Sequence, residues 1–337
     1  MYFSLNHIMS YNNYFTYIII GARGIGKTFS IKKHLIKDFL YKQKKFVVLR
    51  DTDDDCDKLC KNNGDTFFSD IMLNVKDFKQ KIKSIIVKEK TIYINGKLAG
   101  YVMPLSLFYK YKGNAYPDVF NIYWDEFIPE HCQRYIGDRV RQFVNTIQTI
   151  GRTRTNYRIF LTANALDKGN EVLELFKFNI TNFGIYKNKK KGAILYYAPN
   201  NPEFDKATND SIAGKIISGT QYDQSINQNK FENNTIVLID KRKKCDIIGI
   251  YYNEIGDCFR LYEAKDGSEY YVCKDINSKS LNYMRYVFNY EQVDENHIYA
   301  DVEIKNFLKL IFESRLVKFQ SNYLAKIYLS IIDKKRS

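Results

Sequence analysis

Apolar runs and helical spacings take turns through the N-terminal part of the chain, as an α/β sheet protein requires. Tyr14 to Ile20 is an aromatic and β-branched run that reads as a buried strand. From Thr28 onward, Phe29, Ile31, Leu35, Ile36, Phe39 and Leu40 recur at helical spacing. A strand follows at Lys45 to Arg50, then an acidic stretch from Asp51 to Asp57. Ile82 to Lys88 and Thr91 to Ile94 predict short strands, and Asn95-Gly96 a type I′ turn into Leu98 to Met103. Val119 to Trp124 predicts a strand, Gln133 to Ile150 a helix, Tyr157 to Thr162 a strand and Asn170 to Phe178 a helix. Ile180 to Tyr186 and Ala193 to Tyr197 close the series as a hairpin across a lysine-rich turn.

Periodicity breaks at Ala198 to Lys230, where Pro199, Pro202 and many Asn, Asp and Gln residues read as a linker. One short helix is predicted there, near Ser211 to Ile217. Beyond it, Ile236 to Ile239, Asp246 to Tyr252, Cys258 to Ala264 and Tyr270 to Cys273 predict consecutive antiparallel strands, with Tyr283 to Tyr290 as another. The tail from Asp301 is helical, with apolar positions at Ile304, Phe307, Leu308, Ile311 and Phe312 and later at Leu324, Ile327, Tyr328 and Ile331. The pattern thus divides the chain into an α/β sheet domain (1–197), a linker (198–232) and a smaller α+β domain (233–337). A length of 337 residues agrees with two domains.

Composition narrows the class of partner. Hydrophobic residues make up 45% and aromatics 15%, which removes disorder as a description. Lys and Arg outnumber Asp and Glu by 52 to 38, a net charge of +14 that favours a polyanion such as nucleic acid. The six cysteines show no C-x-x-C spacing and the four histidines are scattered, so a zinc site is not expected and reduced cytosolic thiols are. The longest apolar run is too short to span a bilayer, and no leader pattern opens the sequence, so neither membrane nor export is expected.

The chemistry begins at Gly21-Ala22-Arg23-Gly24-Ile25-Gly26-Lys27-Thr28, which spells G-x-x-x-x-G-K-[ST], the Walker A phosphate loop. Strand, glycine loop and helix stand in the order that lets backbone amides curl round phosphates at a helix N-terminus. Lys27 would reach the β- and γ-phosphates of ATP, and the Thr28 hydroxyl would hold Mg²⁺. Arg23 is a further phosphate contact or a brace for an acid. The strand expected beside the loop ends in Asp125-Glu126, the Walker B position. Asp125 suits the metal acid. Alternation along the strand would point Glu126 elsewhere, free to polarise an attacking water. An Asp-Glu pair is also a common surface turn, and only its coupling to the upstream loop favours catalysis. Asn164, just past the next strand, is placed to sense the γ-phosphate or to bond its own turn. Arg152, Arg154 and Arg158 follow a helix end, where they either cap its dipole or reach a neighbouring subunit's nucleotide. Lys110, Lys112, Lys187, Lys189, Lys190, Lys191, Lys241, Arg242, Lys243 and Lys244 are candidate DNA-backbone contacts, although lysine runs are commonly just solvated faces.

Together with that loop, Asn95-Gly96-Lys97-Leu98-Ala99-Gly100 through Pro104-Leu105-Ser106, Asn114-Ala115-Tyr116-Pro117 and Asp125-Glu126-Phe127-Ile128 resemble the phi29-type phage DNA-packaging ATPases, or encapsidation proteins. The likeness is clearest over 14–165. It implies an additional-strand, catalytic-Glu (ASCE) phosphate-loop ATPase domain, followed by a degenerate ribonuclease-H-type domain. It further implies a homomeric ring, a pentamer, on the portal of a prohead, driving double-stranded DNA inward with ATP and sometimes with a structural RNA. Such a ring works in the host cytoplasm, attached transiently to the prohead. By the same resemblance Asp125 and Glu126 become metal acid and general base, and Arg152 the arginine acting in trans. The second domain has Ile247 to Tyr252 where the first nuclease strand would bear its metal-binding Asp, and Asp257, Asp275 and Asp301 are not spaced to share two metals, so nuclease activity is not expected. A small-molecule phosphate-loop kinase and a non-catalytic nucleotide-switched nucleic-acid-binding module are the rival readings. No N-K-x-D motif supports a GTPase.

Overall fold

The computed structural model describes residues 3–78, 81–129, 138–165, 167–199, 202–217, 236–274 and 283–333. The chain divides into two compact units, one of Met1–Leu166 with Ile180–Glu232, the other of Asp167–Asn179 with Asn233–Ser337.

Among the described residues, the first unit is built on a nine-stranded mixed sheet. Its strands are β1 (Thr16–Ile20), β2 (Lys45–Arg50), β3 (Ile85–Lys88), β4 (Thr91–Ile94), β5 (Lys97–Pro104), β6 (Val119–Asp125), β7 (Arg158–Ala163), β8 (Gly184–Asn188) and β9 (Ala193–Tyr197). They lie in the order β3-β4-β5-β2-β6-β7-β1-β9-β8, with a parallel centre from β5 to β9. The helices are α1 (Asn6–Met9), α2 (Lys27–Lys42), α3 (Asp53–Cys60), α4 (Asp65–Leu73) and α5 (Arg139–Gly151). Alternation along the strands sorts side chains to two faces. Tyr17, Ile19, Phe46, Val48, Tyr123 and Phe160 join Ile31, Leu35, Ile36 and Phe39 of α2 in one core, each large residue worth about 1.5–3 kcal/mol of burial. Trp124 faces the other way and packs against Phe143 of α5 at 4.8 Å.

Two local departures from the sequence pattern have clear causes. The acidic stretch after β2 is helical, because Thr52 accepts from the Asp55 amide and caps α3, with Asp53 to Asp55 in the first turn where the dipole favours them. The linker holds a helix that the pattern did not predict, α7 (Pro202–Asp210), which begins at a proline, as suits a first helical turn; α8 (Ile212–Ile217) after it is the short helix predicted near Ser211 to Ile217. Residues 133–137 of the predicted α5 region and 218–230 of the linker lie outside the described residues.

In the second unit, α6 (Glu171–Leu175) stands with the C-terminal part, although the pattern put it in the first domain. Lys326 pairs with Asp167 at 2.6 Å and Asn179 donates to the Gln320 carbonyl at 3.1 Å, which explains the placement. The sheet comprises β10 (Cys245–Tyr252), β11 (Cys258–Ala264), β12 (Tyr270–Cys273), β13 (Arg285–Val287), β14 (Ile298–Tyr299) and β15 (Val317–Phe319) in the order β14-β13-β10-β11-β12-β15. Only β10, β11 and β12 form the expected antiparallel meander. β13 and β14 add parallel on one side and β15 parallel on the other. Leu238 contributes a single bridge to Phe319 instead of the strand predicted at Ile236 to Ile239. The helical tail is α9 (Val302–Glu313) and α10 (Asn322–Ile332), interrupted by β15. The result is an α+β sheet unit, the class the sequence pattern predicts. Among the described residues no helix is long and apolar enough to cross a membrane.

Candidate active site

Between β1 and α2 the backbone takes a path that suits glycine. Gly24 and Gly26 have φ of 78° and 91°, the left-handed region where a Cβ is penalised. Gly26 caps α2, so loop amides and a helix N-terminus meet in one place. The parallel register sets Ile20 beside Ala163 and Asp125 beside Thr162. The loop, the acids and Asn164 therefore line one cleft of about 960 Å³, at the C-terminal ends of β1, β6 and β7.

Lys27 is 7% exposed. Its ammonium donates to the Gly21 and Ala22 carbonyls at 2.7 and 2.5 Å and to Asn164 Oδ1 at 3.3 Å. Burial pulls its pKa from 10.5 down to about 8, against the upward pull of Asp125 and Glu126. Because the folded value lies below the unfolded one, this group's contribution to stability improves as pH rises from about 8 to 10.5. The charge that would meet a phosphate is lost as pH rises through about 8. ATP affinity, followed by fluorescent-nucleotide titration, is therefore expected to fall several-fold between pH 7.5 and about pH 9.5. A flat profile would mean that the Lys27 charge is not used.

Asp125 is 4% exposed. Thr28 Oγ1 donates to its Oδ1 at 3.2 Å, and Arg50 reaches its Oδ2 at 3.1 Å. The same guanidinium holds Glu126 Oε2 at 2.6 Å, and the two carboxylates keep Arg50 charged, raising its pKa despite burial. Strand alternation does not set the direction of Glu126: β6 ends at Asp125, and Glu126 has φ of 59°. That left-handed turn, costly for a residue with a Cβ, brings both acids to one arginine. Behind β6, the Trp124 indole donates to Asp51 at 2.9 Å and Arg139 pairs with Asp51 at 2.7 Å. Burial raises the Asp51 carboxyl to about 6, countered by Arg139. Neither Arg50 nor this network figured among the sequence candidates. The cation that ends the apolar run Phe46–Leu49 of β2 is the available signal for Arg50.

The three candidate arginines part company. Arg154 donates to four carbonyls, those of Ile150, Pro117, Val119 and Tyr116, at 2.7, 2.8, 2.8 and 3.1 Å. Arg152 is exposed and touches the Asn114 carbonyl at 3.2 Å, and Arg158 begins β7. All three sit at the start of β6 and β7, roughly 20 Å from the cleft, given about 3.3 Å per residue along β6. None can serve its own chain's cleft. Arg154→Ala is expected to cost about 3 kcal/mol in urea unfolding, and Arg152→Ala less than about 0.5 kcal/mol; equal losses would refute the distinction. Arg23 lines the cleft.

The basic candidates differ in the same way. Lys243 pairs with Asp266 at 3.0 Å, and Arg242 lies over the Tyr262 ring at 4.7 Å. Lys187 sits over Tyr11 at 3.9 Å and Lys112 over Phe108 at 5.0 Å. Lys110, Lys189, Lys190, Lys191, Lys241 and Lys244 are exposed.

The acid strand is not the neighbour of the loop strand: β7 stands between β1 and β6. A phosphate loop with a further strand inserted before the acid-ended one defines the additional-strand class of phosphate-loop nucleoside-triphosphatase folds. The chain belongs to the podovirus DNA encapsidation protein (Gp16) family, whose model matches residues 1–335. It is 33% identical over 241 residues to a DNA packaging protein of Bacillus phage B103, covering 70% of each chain. The N-terminal domain of the DNA packaging ATPase from bacteriophage phi29 superposes with a TM-score of 0.50 at 29% identity, over 60% of this chain and 98% of that one. The bacteriophage phi29 viral genome packaging motor assembly shares the fold at full length, with a TM-score of 0.68, 22% identity and 99% of both chains covered.

Proposed function

We propose that this chain is the ATP-driven motor subunit that moves double-stranded viral DNA into a preformed prohead, working as a homomeric ring at the portal. The observation that supports it most is the division of residues between the two ends of the central strands of one sheet. Lys27, Thr28, Asp125, Glu126 and Asn164 share a cleft at the C-terminal ends, while Arg152 is exposed near the opposite ends. Such a chain holds an incomplete site at each end, and a head-to-tail contact that closes into a ring completes both. The family relation favours this reading over a small-molecule kinase or a nucleotide-switched binding module.

In this reading Lys27 and the loop amides bind the triphosphate, and Glu126 takes the proton of the attacking water. Asn164, already on Lys27, orders the γ-phosphate end. Arg152 of the adjacent subunit meets the charge that develops on the transferred phosphoryl group. The hard oxygens of Thr28 and Asp125, 3.2 Å apart in a polar cleft, suit Mg²⁺, and these two residues would hold it. When bound, the ion offsets phosphate charge. Hydrolysis to ADP and phosphate would shift the subunit contact and move exposed lysines along the DNA backbone, a grip that needs no base readout. The second unit binds DNA, RNA or portal and cuts nothing.

The test is ATPase activity against protein concentration, with and without double-stranded DNA. Activity per subunit should rise with concentration and be stimulated by the duplex. Activity that is concentration-independent and indifferent to DNA would refute the ring motor.

A further inference from the structure

Asp125 meets more hydroxyl groups than Thr28 alone. Its Oδ1 lies 2.6 Å from the Tyr123 phenol oxygen and 2.7 Å from Thr162 Oγ1, and those two oxygens are 2.8 Å apart. Tyr123 is 0% and Thr162 1% exposed, so water does not compete for these protons. Tyr123 stands two residues before Asp125 on β6, hence on the same face, and Thr162 is Asp125's register partner on β7. The triangle is built into the sheet.

Its protons are limited. Two hydroxyls supply two protons for three short edges. The Tyr123 phenol donates to Asp125 Oδ1 at 2.6 Å. Thr162 then gives its single proton to Asp125 or to the phenol oxygen. In both arrangements Oδ1 is fixed by at least one short bond, while Oδ2 faces Arg50 and Thr28 approaches from the loop side. A phenylalanine would fill the same space among Tyr17, Phe160 and their neighbours without bringing a polar atom into a dry core. The tyrosine hydroxyl is accounted for by Asp125 and Thr162.

We propose that Tyr123, together with Thr162, is a positioning residue for a divalent cation: the two hydroxyls lock the Asp125 carboxylate in the orientation in which it and Thr28 present oxygen to one ion. The inference rests on the reading of Asp125 as the metal acid. It is separate from a simple tie between β6 and β7, which would leave metal affinity untouched.

The experiment measures Mn²⁺ binding by electron paramagnetic resonance on the full chain with a non-hydrolysable ATP analogue. Tyr123→Phe and Thr162→Val should each weaken Mn²⁺ about tenfold, the scale typical of groups that orient a metal ligand. Metal-free analogue binding should stay within about twofold, and Thr162→Ser should restore the parent Mn²⁺ affinity. The two variants remove different hydroxyls from one triangle, so a folding defect in either leaves the other to decide. Parent-like Mn²⁺ affinity in a folded variant, with Asp125→Ala losing it, overturns the positioning role while sparing the metal assignment. Parent-like affinity in Asp125→Ala itself overturns that assignment and this inference together.

Discussion

Glu126→Gln is expected to leave ATP affinity within about twofold of the parent while slowing hydrolysis roughly 10³-fold, about 4 kcal/mol of barrier. Glu126 is the exposed member of the acid pair, at the mouth of the cleft, and Arg50 fixes it with a 2.6 Å bond. An amide of the same size keeps the left-handed turn and accepts a hydrogen bond from Arg50, yet takes no proton from water. Nucleotide affinity is set elsewhere, by Lys27 and the loop amides, so binding and turnover should separate. Fluorescent-nucleotide titration and steady-state phosphate release measure the two. Turnover within a few-fold of the parent would place the proton acceptor at another residue.

Arg152→Ala should reduce turnover by about 10³-fold or more, the range found where an arginine stabilises phosphoryl-transfer charge from a neighbouring subunit. The isolated chain loses nothing comparable, because Arg152 is exposed and makes one long bond to the Asn114 carbonyl. This contrast suits a residue that works outside its own fold. Mixing Arg152→Ala with Glu126→Gln subunits should restore part of the activity, since one interface in such a ring pairs an intact Glu126 with an intact Arg152. Mixed rings, verified by exchange of labelled subunits, that stay inactive would contradict action in trans. Arg154→Ala cannot stand in for this test, because its guanidinium is bound to four backbone carbonyls and its removal unsettles the start of β6.

What the sequence reveals of this site is what short-range pattern can encode. The apolar run of β1, the glycines at left-handed positions and the helical spacing of α2 are neighbours in the chain, so the phosphate loop is legible at once. Gly100, within one of the family-like blocks, is explained only in three dimensions: a Cβ there would stand 2.1 Å from the Phe46 carbonyl oxygen of β2. Arg50 and Thr162 become part of the site through strand register, with Leu49 opposite Trp124 and Asp125 opposite Thr162. No spacing rule along one strand predicts that, whereas Tyr123 precedes Asp125 by two residues on the same strand face. Glu126 defeated strand alternation because β6 stops one residue earlier. In the second unit, β15 is a three-residue strand inside a helical pattern, and its pairing with β12 is a tertiary choice that local propensity does not record.

The most direct measurement is a structure of the full chain with Mg²⁺ and a non-hydrolysable ATP analogue. The triphosphate should lie on the amides of residues 21–28, with the γ-phosphate between Lys27 and the Asp125–Glu126 pair and Arg152 of an adjacent subunit directed at it. A nucleotide held away from this loop, or a γ-phosphate turned from the end of β6, would contradict the proposed ATP site.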